Sequence, residues 1–76
     1  MASAKLPVHT REQRRVARAA LRILGLDREL IATIMEAAKR ENCPALIVGL
    51  RHDKLACRVT VTAGDHRWRL NFSWLH

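Results

Sequence analysis

The sequence predicts an α+β domain, a helical hairpin packed on a three-stranded antiparallel β-meander in the order α-α-β-β-β. Three observations predict it. Apolar residues recur at helical spacing from Arg11 to Leu24, and again over roughly residues 28–42. After Pro44 the apolar period shortens to two. Gly25 and Gly64 fall where the two patterns need the chain to reverse.

Residues 1–9 read as a flexible lead-in, with Pro7 opposing any early helix, and residues 10–76 as one small domain. Thr10 and Gln13 have the spacing of a capping box, which predicts a helix start at Arg11. Its apolar positions are Val16, Ala17, Ala20, Leu21, Ile23 and Leu24. Gly25 ends it, because glycine accepts the left-handed conformation that closes a helix. Asp27 caps the second helix, whose inward face is Leu30, Ile31, Ile34, Met35, Ala37 and Ala38. Asn42-Cys43-Pro44 stops it.

Ala45 to Leu50 is a short apolar run rich in β-formers, expected as a strand buried on both faces. Arg51 to Lys54 reads as a polar turn. Leu55, Cys57, Val59 and Val61 then alternate with Arg58, Thr60 and Thr62. After Gly64-Asp65, Trp68, Leu70, Phe72 and Trp74 alternate with Arg67, Arg69, Asn71 and Ser73. Two runs that switch face in step are the mark of a hairpin.

The chain has 76 residues, 14 Lys and Arg against 7 Asp and Glu, and a formal charge of +7. A domain of this size buries only about 60% of its unfolded surface, so each large apolar residue matters to the core. The start, Met1-Ala2-Ser3-Ala4-Lys5, lacks the apolar centre of a signal peptide, and no apolar run approaches a membrane span. An intracellular protein is therefore expected. The basic balance favours an anionic partner. It is concentrated before Leu26 and after Pro44, and the second helix is close to neutral.

Arg11, Arg15, Arg18 and Arg22 fall at i, i+4, i+7 and i+11, one stripe along the first helix, with Arg14 beside it. Such a stripe runs about 16 Å. Arginine suits phosphate because its planar fork donates two parallel hydrogen bonds and stays charged. Arg58, Arg67 and Arg69 form a second basic patch on the polar face of the sheet. That patch has no aromatic ring on which a base could stack.

Residues 17–36 resemble a helix-turn-helix: Gly25 stands at the turn and Leu21, Leu24, Leu26, Ile31 and Ile34 occupy its apolar positions. The resemblance implies a second helix that enters the major groove of DNA. That helix presents Asp27, Arg28, Glu29, Thr33 and Glu36, a poor set for base edges, so a hairpin that packs is the expectation. Trp68, Phe72 and Trp74 share one face of the last strand, which suits either the core or a strand-edge interface, including a homodimer.

No cofactor and no metal are expected. Cys43 and Cys57 lack the spacing of a zinc ribbon, and His52-Asp53 and His66-Asp65 lack the third group of a catalytic site. The expected function is non-enzymatic: binding of DNA or RNA backbone through the Arg-lined helix. The alternative is a small inhibitor or regulator, of the kind phages make against bacterial defences, that docks on an acidic or nucleic-acid-binding surface of a target protein. A membrane partner is not expected, since the basic helix has no Trp or Phe to bury in a headgroup layer.

Overall fold

In the computed structural model, described over residues 2–73, the order is β1 (Ala2–Pro7), α1 (Arg11–Ile23), α2 (Arg28–Arg40), β2 (Ala45–His52), β3 (Ala56–Ala63) and β4 (His66–Ser73). The sheet is fully antiparallel in the order β1-β2-β3-β4. It has four strands, which corrects the three-stranded meander expected from sequence. The added strand comes from the residues expected as a lead-in. Ala2 to Pro7 pairs with Leu50 to Ala45, some 40 residues away, across the helical hairpin. Two Ala, a Ser, a Lys and a Pro carry little strand propensity, so tertiary pairing makes this strand.

Local chemistry sets the helix ends. The Thr10 hydroxyl accepts from the Gln13 N–H at 3.1 Å, and the Gln13 side chain accepts from the Thr10 N–H at 3.0 Å. Asp27 accepts from the Leu30 N–H at 2.8 Å. Both helices close in the same way. Leu26 donates to the Leu21 carbonyl and Gly25 to the Arg22 carbonyl, with Gly25 at φ +100°. Cys43 donates to Ala38 and Asn42 to Lys39, with Asn42 at φ +56°. At Gly25 the conformation has a second reason: a Cβ there would lie 3.3 Å from the Phe72 ring.

The two helices cover one face of the sheet. Leu46, Val48, Cys57, Val59, Val61 and Ala63 point into that layer and meet Ala17, Leu21, Ile31, Ile34, Met35 and Ala38. Trp68, Leu70 and Phe72 are half-buried against the same core. The other sheet face is open. Hence β2 is buried on one side only, not on both, and Ile47 stands 40% exposed. The alternation also continues past Leu50, so Arg51 and His52 belong to β2 rather than to a turn.

Replacing Gly25 with alanine is expected to cost about 1–2 kcal/mol, through the left-handed backbone and the Phe72 contact. In a domain of this size that lowers Tm by about 4–16 °C. Asn42→Gly, at the matching position of α2, is expected to leave Tm unchanged or raise it. Thermal unfolding followed by circular dichroism checks both.

Candidate functional site

The open sheet face is built by strand parity. Side chains on one face of an antiparallel sheet come from directly paired residues. The pairs Ser3↔Gly49, Gly49↔Thr60 and Thr60↔Arg69 run across all four strands as one row. Beside it runs Lys5, Ile47, Thr62 and Arg67, and on its other side Arg51, Arg58 and Asn71. The face thus carries five cations: Lys5, Arg51, Arg58, Arg67 and Arg69. Each of the seven carboxylates lies elsewhere. Glu12 is on α1, Glu29 and Glu36 on α2, Asp27 and Glu41 at its caps, and Asp53 and Asp65 in the hairpin turns.

The middle of the face is a shallow depression of about 290 Å³, lined by Ser3, Gly49, Thr60 and Thr62 and rimmed by Arg51, Arg58, Arg67 and Arg69. Gly49 makes the dip. A Cβ there would meet nothing closer than the Thr60 Cβ at 4.0 Å, so the missing side chain leaves open space. Arg51 stands directly opposite Arg58 on the neighbouring strand. Like charges in that position cost stability. The Arg58 Nε donates to Asn71 Oδ1 at 3.2 Å, which holds the guanidinium across β3 and β4.

The second basic surface lies on the opposite layer. Arg11, Arg15, Arg18 and Arg22 are exposed along α1. Two of the expected five arginines there are engaged. Arg15 pairs with Glu12 at 2.6 Å, and Arg14, half-buried toward α2, donates to the His9 carbonyl at 3.1 Å. The helices stand between the stripe and the sheet face, so the two surfaces point apart.

The remaining candidates are placed as follows. Trp68 and Phe72 face the helices, and Trp74 lies outside the described residues. His52 and Asp53 sit at one end of β3, His66 and Asp65 at the other. His66 Nε2 is 3.3 Å from Glu41 Oε1, and its ring stacks on Trp68 at 6.0 Å. Cys57 is buried and Cys43 half-buried, both as free thiols. Among the described residues no three metal-binding side chains come together.

Lys5 and Arg51 are the cations sequence reasoning missed. The sequence pattern reads Lys5 as lead-in and Arg51 as turn, whereas the structure places them on β1 and β2. A signal existed for both: Ser3 and Lys5 alternate with Ala4 and Leu6, and Ile47, Gly49 and Arg51 alternate with Leu46, Val48 and Leu50.

Replacing Arg51 with glutamine removes the like-charge pair and is expected to stabilise the fold by about 0.2–1 kcal/mol. Thermal melts at low and high salt check this, and the gain should shrink as salt screens the charges. No family model, no curated protein and no solved structure matches the chain.

Proposed function

We propose that the protein is a non-enzymatic binding protein that grips the phosphate backbone of DNA or RNA with its open sheet face. One observation carries the reading: five cations share a face with hydroxyls and with none of the seven carboxylates. Arg67 and Arg69 lie two residues apart on β4, about 7 Å, and Arg58 and Arg51 extend the track across two more strands. Forked guanidinium groups hold phosphate oxygens in pairs, and the Ser3, Thr60 and Thr62 hydroxyls add donors between them.

Among the described residues no aromatic side chain stands on this face, so the face offers bases no ring to stack on and sequence preference is weak. The α1 stripe of Arg11, Arg18 and Arg22 faces away and raises the local potential rather than sharing one ligand with the sheet. An intracellular setting belongs to the same proposal, since nucleic acid is met there and free thiols such as Cys43 stay reduced. Among the described residues no helix is long and apolar enough to cross a membrane.

Fluorescence anisotropy with mixed-sequence duplex and single-stranded probes tests the proposal. Binding should weaken by roughly 10²-fold from about 50 to about 200 mM salt. Changing Arg58, Arg67 and Arg69 together to glutamine should weaken binding at least tenfold and flatten the log–log salt slope by about 2–3. The same change at Arg11, Arg18 and Arg22 should cost less. Gly49→Val should leave folding intact and weaken binding by filling the depression. No binding at low salt, or binding that salt does not affect, overturns the proposal. A protein partner that survives nuclease treatment of a lysate would favour docking on an acidic protein instead.

A further inference from the structure

The sheet has two edges among the described residues, β1 and β4, and they are not alike. β4 carries Arg67 and Arg69, and charge on an edge strand discourages further pairing. β1 carries a single charge, Lys5.

The hydrogen-bond parity of β1 can be read from its end. The Val8 N–H donates to the Pro44 carbonyl at 2.9 Å, which extends the β1–β2 register by one bonded pair. Bonded and non-bonded pairs alternate along an antiparallel ladder. Leu6 and Ala4 are therefore the bonded partners of Leu46 and Val48. Ser3 and Lys5 turn their N–H and C=O groups out to the free edge. Pro7 has this outward parity too, so its missing N–H costs the ladder nothing.

Above this edge the flank of α1 is apolar and exposed. Val16, Ala20 and Ile23 fall at i, i+4 and i+7, and Val16 and Ile23 are 57% and 87% exposed. Below them is an open groove of about 320 Å³ between α1 and the strands, lined by Leu6, Leu24, Val48 and Leu50, with Ser3 and Ala4 at its lip. Among the described residues no ionised side chain lines it.

We infer that β1 and this flank form a homodimer interface, in which β1 pairs with β1 of a second copy about a two-fold axis at Ala4. In that register Ser3 of each copy lies opposite Lys5 of the other. Both outward N–H groups and both outward carbonyls of each β1 find partners, and the two Lys5 side chains avoid each other. Ala4, on the groove side, is small enough to let the α1 flanks approach, so that Val16 and Ile23 cover each other's groove. The strip is self-complementary, because the protruding Val16 and Ile23 stand beside the groove that they fill on a second copy, and being uncharged it offers a polyanion nothing. The product is one eight-stranded sheet whose two basic faces run together across Lys5. The dimer does not rest on the nucleic-acid proposal, because mass alone reads it.

Sedimentation equilibrium of the full chain across the micromolar range tests the inference. The expected species has twice the 8.7 kDa chain mass. Ile23→Glu, at an exposed position, and Ser3→Pro, which removes an outward donor and no β2 bond, should each weaken association at least tenfold with an unchanged far-UV circular dichroism spectrum. Asn71→Pro, on the β4 edge, should leave the dimer intact. A monomer at every concentration overturns the inference. So does a dimer that withstands both Ile23→Glu and Ser3→Pro, or one that Asn71→Pro alone dissociates.

Discussion

A single apolar layer between the helical hairpin and the sheet holds this molecule together, and the open sheet face follows from both helices lying on one side of it. A chain of 76 residues has enough Leu, Ile and Val for one such layer and no more. Leu21, Ile34, Leu46, Val59 and Val61, its largest fully buried side chains, come from both helices and the two central strands. With both helices spent on one side, the other sheet face stays in water. Water does not require that face to be cationic. Serine, threonine and mixed charge would solvate it as well, so the exclusion of every carboxylate from it is a separate feature of the sequence.

That feature works against stability. Arg51 and Arg58 repel each other across β2 and β3 at a directly paired position. Gly49 leaves an interior strand position without a side chain, which weakens a strand. The steric surroundings of Gly49 do not demand glycine. Under the proposed function, an anion seated in the depression would relieve the repulsion and use the space.

Much of the fold was legible because its signals are local. The Thr10–Gln13 box, the Asp27 cap, the Gly25 stop and the Gly64-Asp65 turn each act within a few residues, and Gly64 takes φ +60° in a two-residue hairpin turn. β1 was not legible. Its residues have weak strand propensity, and its partner is reached only across two helices. Losing β1 also hid Lys5 and half of the groove beside α1. The helix-turn-helix likeness over residues 17–36 has a plain physical source: a helical hairpin closed at Gly25 needs the same apolar positions to pack on any surface, here a sheet. The arginines of α1 were legible as a stripe, but not that Glu12 and the His9 carbonyl engage two of them.

The proposed function requires the open sheet face, and not the helical layer, to meet the phosphate backbone. Backbone amide shifts of the isotope-labelled protein, followed while a mixed-sequence oligonucleotide is added, test it most directly. The expected shifts cluster on Lys5, Gly49, Arg51, Arg58, Thr60, Arg67 and Arg69, with α1 and α2 little changed. Shifts centred on Arg11, Arg18 and Arg22, or none at low salt, would contradict it.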